Sequence, residues 1–325
     1  MKTRDVSIDA LCGLLIIHMI VGHIFEWASL TDTDCYIWEQ RIFFFFMPWF
    51  FFKSGMFYKE KSFHQSVMMS YRRLIVPLFY FSLLGLPCYW MRLYLNGDIN
   101  IIHYLLSPLK SLIIVGNNAA NLPLWFLLAL FCVSVINSII LKRINPKYVL
   151  LFSFVLAAVI ESLINISVPH YVPNVLLGIS FYITGYFFSG LRNKCSIGII
   201  CLILYASSVL FFPQYVDFRS NKLIYGNYLL WFLVSNVSCI AFNYLFRNIL
   251  RFYQPKLLIN VGSDSLIYFA LHWLVISYTT LFLNSFLDVS EGWKMWSILL
   301  FVNIIILPLC VKIFKSNKLR IIIGK

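Results

Sequence analysis

The chain reads as an all-α polytopic membrane protein, a helix bundle with about ten transmembrane helices. Three observations predict this. Of the 325 residues, 61% are hydrophobic and only 12% are charged, where a soluble domain carries roughly 25% charged residues. Mean hydropathy is +0.82. The apolar residues are also gathered into stretches close to the ~20 residues that cross the hydrocarbon layer, with the basic residues set between them.

Taken in order, the expected spans are Val6–Trp27, 42–58, 74–94, 122–141, 148–167, 172–190, 197–212, 225–246, 258–283 and Trp293–Phe314. The first opens with Asp9 near its start and carries His18 and His23. The second is a run of bulky aromatics, FFFFMPWFFFKSGMFY, in which Pro48 is expected to bend the helix and Ser54-Gly55 to let a neighbouring helix come close. The third follows the Arg72-Arg73 pair. Residues 101–115 are apolar but short and contain Pro108, which predicts a surface or re-entrant helix, and Asn117, Asn118 and Asn121 then mark a loop. No repeat, linker or low-complexity tract divides the chain, so residues 1–325 are expected to form one integral-membrane domain.

Charge placement supports this reading. With the N-terminus inside, the outer connections hold Arg41, Arg92, Lys110, Arg219, Lys222 and Lys294, and Lys53 lies within a span. The remaining 19 of the 26 basic residues, from Lys2 and Arg4 through Arg72, Arg73, Arg192 and Lys194 to Lys318 and Lys325, fall on the inner side. Most acids, Asp98 and Asp288 among them, fall outside. This alternation predicts a multi-pass protein of the inner (cytoplasmic) membrane with both termini cytoplasmic. The net charge of +13 is thereby accounted for by topology, and no nucleic-acid partner is expected. No removed signal peptide is expected either.

The eight cysteines lie mostly in apolar segments with no CxxC spacing and read as apolar filler. The sequence holds no HExxH, no GxSxG and no Gly-rich phosphate loop. The expectation is no metal and no tightly bound cofactor.

Ionisable side chains inside spans are costly and mark functional sites. On the first helix Cys12 and His23 are 11 residues apart and share nearly one face, about 16 Å apart along the axis. Glu26 is one turn past His23, at a spacing where the side chains meet, while His18 points away. His23 and Glu26 form the candidate catalytic pair, because His both takes and gives protons near neutral pH. The plain alternative is an interfacial histidine at a helix end. Lys53 sits about 7 Å from the inner end of its span, in a place where snorkelling is the plain alternative. In SLIYFALHW, Ser265, Tyr268 and His272 fall near one face, and His272 reads equally as a substrate contact or as a structural histidine. Trp125 and Trp49 are candidates for stacking on sugar rings, with core packing or interfacial anchoring the safer reading for each.

The order RDVSIDALCGLLIIHMIVGH, FFMPWFFFKSGMFY, RRLIVPLFYF, LPLWFLLALF and SLIYFALHW resembles the acyltransferase 3 family, from the first span to the ninth. These are integral membrane acyltransferases, commonly O-acetyltransferases of cell-envelope glycans and including fucose O-acetylase-like proteins. The resemblance implies that His23 matches the family's first-span histidine. It implies acyl transfer, with acetyl-CoA as donor substrate, to a hydroxyl of a glycan or lipid-linked sugar in contact with membrane lipid. Arg72 and Arg73 would meet the donor phosphates, Trp125, Lys53 and His272 the substrates, and His23 would act as general base or carry the acyl group itself. The family places a basic residue, usually Arg, 11 positions before that histidine, and this chain has Cys12 there. The departure leaves open an altered donor site, a changed activity or an inactive scaffold. Lys53, at comparable depth, is expected to supply the missing charge across a helix contact. A polysaccharide or lipid-carrier flippase is the alternative from another class, weakened by the absence of an inverted repeat.

Overall fold

The computed structural model describes residues 5–97, 100–112, 118–163, 169, 171–189, 195–287, 289, 291–316 and 319–324. Of the residues named above, Lys2, Arg4, Asp98, Asn117, Arg192, Lys194, Asp288, Lys318 and Lys325 lie outside that set, as do 113–115, 164–167 and 190 of the expected helices.

The chain is almost entirely helical. In order it forms α1 (Val6–Trp27), α2 (Asp34–Phe43), α3 (Phe46–Met56), α4 (Phe63–Ser70), a π-helical turn (Tyr71–Ile75), α5 (Val76–Leu95), α6 (Ile101–Lys110) and α7 (Trp125–Ile140). Then come α8 (Pro146–Ser162), α9 (Tyr171–Phe188), α10 (Cys195–Phe211), a small hairpin of β1 (Tyr215–Asp217) and β2 (Lys222–Tyr225), and α11 (Tyr228–Ile249). The last helices are α12 (Lys256–Ser263), α13 (Ser265–Phe282) and α14 (Trp293–Phe314). Among the described residues, 7 helical stretches are long and apolar enough to cross a membrane, and the protein is a polytopic helical membrane protein.

Two expected spans are interrupted. The stretch 42–58 breaks at Phe44 and Phe45, between α2 and α3. Proline lacks the N–H that a helix interior needs but is tolerated in the first turn, where N–H groups have no intrahelical partner. Pro48 therefore begins α3 and does not bend a longer helix. The stretch 258–283 is parted at Asp264, the residue preceding α13, whose carboxylate accepts from Lys315 Nζ at 3.0 Å. The third span is longer than expected: α4, the π-helical turn and α5 run on as one apolar stretch, Phe63–Leu95.

The chain packs as two compact units, both discontinuous in sequence. The first comprises Met1–Leu15, Glu39–Met68 and Ala129–Ser263. In it α3 lies against α9 at backbone distance: a Cβ on Gly55 would strike the Tyr182 carbonyl, and one on Gly185 the Phe52 carbonyl. Helix packing in a membrane has little hydrophobic drive, and such small-residue contacts let dispersion supply it. Phe51, Phe52, Phe181 and Trp231 are fully buried there. The first turns of α1 meet α12 in the same way, Gly13 at the Leu258 carbonyl and Gly262 at the Asp9 carbonyl.

The second unit comprises Ile16–Trp38, Met69–Leu128 and Asp264–Lys325. Here α13 packs on α5 and α14. The Tyr278 hydroxyl donates to the Leu84 carbonyl at 2.9 Å, and the rings of Phe81 and Phe314 meet at 5.4 Å.

Candidate active site

The second unit brings together two histidines that are 249 positions apart in sequence. His23, in the last turns of α1, and His272, midway along α13, stack with ring centroids 5.3 Å apart and planes 18° apart. The Trp273 ring stands T-shaped to His23, with centroids 5.2 Å apart. His272 is fully buried, whereas the His23 side chain is 22% exposed.

Hydrogen bonds fix which nitrogen of each ring carries the proton. His23 Nδ1 is 2.8 Å from Glu26 Oε2, at the i,i+3 spacing of one helical turn. A carboxylate only accepts, so Nδ1 donates and the neutral ring keeps its lone pair on Nε2. His272 Nδ1 is 2.7 Å from the Phe269 carbonyl oxygen, again an acceptor. The neutral His272 ring therefore also has its lone pair on Nε2, which is buried and has no hydrogen-bond partner among the described residues. Two stacked imidazoles thus each offer an Nε2 acceptor, and only His23 has a carboxylate behind it.

The loop before α7 holds this part of α13 in place. Asn118 Oδ1 accepts from the backbone N–H groups of Ala120 and Asn121. Asn121 Nδ2 then donates to the Ala270 carbonyl at 2.9 Å, two residues before His272. Asn118 and Asn121, two of the asparagines that the sequence marks as a loop, are therefore anchors for the His272 segment.

In the first unit, Lys53 Nζ donates to Cys12 Sγ at 3.4 Å and lies 5.1 Å from the Trp49 ring centroid. Cys12 is buried at 1% exposure. Cys12 adjoins the close α1–α12 contact at Gly13, and Lys53 lies two residues before the close α3–α9 contact at Gly55.

Arg72 and Arg73 stand exposed in the π-helical turn between α4 and α5. Such turns add a residue to the helical path and re-aim the side chains they carry. The backbone of Arg72 is backed by the C-terminal turn Arg320–Ile323, where a Cβ on Gly324 would meet the Arg72 carbonyl. The first unit contains another basic surface, an open pocket of about 370 Å³ lined by Asp5, Ser7, Arg247, Arg251 and Gln254. Trp125 is buried at 7% exposure and packs edge-on against Phe126 at 6.2 Å, and Trp49 is fully buried. His18 is buried in α1 and does not join the His23–His272 stack.

The sequence points to His23, Glu26 and His272 but not to their aromatic and cationic neighbours. Trp27 lies edge-on to Trp273 at 5.4 Å, and the Arg92 guanidinium sits 4.3 Å above the Trp27 ring. The available signal was the spacing from His23 to Trp27, one helical turn, together with the adjacent His272-Trp273 pair.

Compared with known protein families, residues 5–315 match the acyltransferase 3 family model, described as an acyltransferase domain. No curated protein and no solved structure matches the chain.

Proposed function

The chain belongs to the acyltransferase 3 family and is a multi-pass membrane O-acyltransferase; from that premise we propose that it transfers an acetyl group from acetyl-CoA to a hydroxyl of a cell-envelope glycan or lipid-linked sugar. The observation that carries the proposal is the Glu26–His23 pair, with Nδ1 held at 2.8 Å and Nε2 left with its lone pair.

In the proposed step the acceptor hydroxyl gives its proton to His23 Nε2 as its oxygen attacks the thioester carbonyl. The tetrahedral adduct collapses, the C–S bond breaks and the CoA thiolate leaves with the proton from His23. Glu26 keeps the ring oriented and stabilises the imidazolium between the two events, the role of the third group in a catalytic triad. His272 Nε2, buried and acceptor-only, suits a second hydroxyl of the same sugar. The competing route, in which His23 carries the acyl group, uses the same lone pair.

The donor is cytoplasmic in this reading, with both termini on that side of the inner membrane. Arg72 and Arg73 hold its phosphates, since arginine binds phosphate through paired N–H groups. Lys53 replaces the charge that the family keeps at position 12. Membrane lipid surrounds the bundle, and the protein works with no tightly bound cofactor.

The test uses a gene deletion complemented with wild type or His23→Ala, with membrane expression of both confirmed. Mass spectrometry of envelope glycans should show an ester-linked acetyl group that disappears on deletion and returns with wild type only. Unchanged acetylation together with lipid-linked glycan accumulating at the cytoplasmic face would instead establish a flippase.

A further inference from the structure

Arg92, near the end of α5, carries a charge whose bonding is incomplete. Its guanidinium lies 4.3 Å over the Trp27 ring, and Cys88 stands one turn earlier in the same helix. Its Nη2 is shut away from solvent and has no hydrogen-bond partner among the described residues. None of the described carboxylates forms an ion pair with it.

The plain role for an arginine at a span end is to snorkel, placing its charge in water or among head groups beside interfacial tryptophans. A snorkelling guanidinium has its N–H groups solvated. In Arg92, Nη2 is buried instead, and a charged donor left unpaired in a low-dielectric setting is costly. Cation–π contact with Trp27 engages the guanidinium face and leaves its edge N–H groups for an acceptor lying in the plane. What such an edge takes best is a planar or multi-oxygen anion, a carboxylate or a phosphate.

The surroundings say where that anion belongs. Trp27 touches Trp273 at 5.4 Å, and Trp273 touches His23 at 5.2 Å. Arg92 is therefore joined to the candidate base through two indoles. Apolar ring surfaces between a cation and a base are suited to a sugar ring.

We propose that Arg92, Trp27 and Trp273 form an acceptor subsite that selects an anionic sugar, one bearing a carboxylate or a phosphate, for the hydroxyl addressed by His23. This rests on the acyl-transfer reading for its catalytic meaning but not for the binding itself. The guanidinium edge takes the anion and the indoles take the ring.

The experiment is saturation-transfer NMR on the full-length protein in phosphatidylcholine nanodiscs. Its probes are methyl glucuronide, glucose 1-phosphate and neutral methyl glucoside, each titrated against wild type, Arg92→Gln and Arg92→Lys. Wild type should bind at least one anionic sugar about tenfold or more tighter than the neutral one, as a charge-assisted bond provides. Which anionic probe wins distinguishes carboxylate from phosphate. Arg92→Gln should abolish the preference. Arg92→Lys, which keeps the charge but loses the planar fork, should retain part of it and covers the case in which the glutamine variant does not fold. Equal binding of all three sugars by wild type overturns the proposal, as does a preference that survives in Arg92→Gln. Acetyl release from acetyl-CoA, followed separately, reports on the acyl-transfer reading: its absence alongside selective binding would sink that reading and leave the subsite standing.

Discussion

Lys53 Nζ lies 3.4 Å from Cys12 Sγ, so the amine of α3 reaches the position on α1, 11 residues before His23, where the family resemblance implies a basic side chain. The thiol is small, and Lys53 Nζ is delivered across a helix contact with Trp49 alongside. Lys53→Met should therefore abolish acetyl transfer, and adding Cys12→Arg should restore part of it. Acetyl-CoA turnover in proteoliposomes reads both. Full activity in the single variant, or no recovery in the double one, would sink the charge-replacement idea.

The His23–Glu26 pair separates activity from stability. The Glu26 side chain is 45% exposed, and exposed ion pairs contribute about 0–1 kcal/mol. Glu26→Gln should leave thermal unfolding in detergent nearly unchanged. Turnover should still drop about tenfold, because the ring loses the group that fixes its tautomer, while His23→Ala should lose about 10²-fold or more. A Glu26→Gln protein with wild-type turnover would show that the carboxylate does not assist the reaction.

Much of this was legible in the sequence, for physical reasons that also explain the gaps. Hydrophobic stretches and basic punctuation locate helices because a bilayer demands both, and the i,i+3 spacing placed Glu26 beside His23 because helical geometry is local. The break at Phe44 and Phe45 was hidden by unbroken apolar character, since hydropathy does not register where a helix restarts ahead of a proline. The hairpin was hidden as well. It depends on Asp217, whose carboxylate accepts from Arg219 N and Ser220 Oγ, and on Asn221 at φ 55°. The stacking of His23 on His272, and the reach of Arg92 over Trp27, are tertiary facts between remote helices that no spacing within one helix can specify. Trp125, for which the sequence favours core packing or interfacial anchoring over sugar stacking, is buried and packs against Phe126.

Two basic surfaces are candidates for the phosphates of the proposed acetyl-CoA donor. Arg72 and Arg73 project from a π-helical turn. The pocket at the start of α1 offers Arg247 and Arg251 but also Asp5, whose carboxylate already accepts from Ser7 N and Ser7 Oγ. An acid at that point opposes a phosphate, so the first surface is favoured. The paired change Arg72→Gln with Arg73→Gln should raise KM for acetyl-CoA about tenfold or more, since each charge-assisted contact contributes roughly 1.5–3 kcal/mol. Arg247→Gln with Arg251→Gln should change it little. The reverse ranking in steady-state kinetics would move the donor site to the pocket.

The α3–α9 crossing links packing to the site through Lys53, two residues before Gly55. A methyl group on Gly55 would fall on the Tyr182 carbonyl, and one on Gly185 on the Phe52 carbonyl, so neither clash is relieved by turning a side chain. The helices must separate, and overpacking of this kind costs typically about 1–3 kcal/mol. Gly55→Ala should lower the unfolding temperature in detergent and also reduce turnover, because moving α3 draws Lys53 away from Cys12. Gly185→Ala, on the opposing helix and carrying no candidate catalytic group, should do the same through the shared contact. If Gly185→Ala lowers stability but leaves acetyl transfer untouched, the placement of Lys53 does not depend on this crossing.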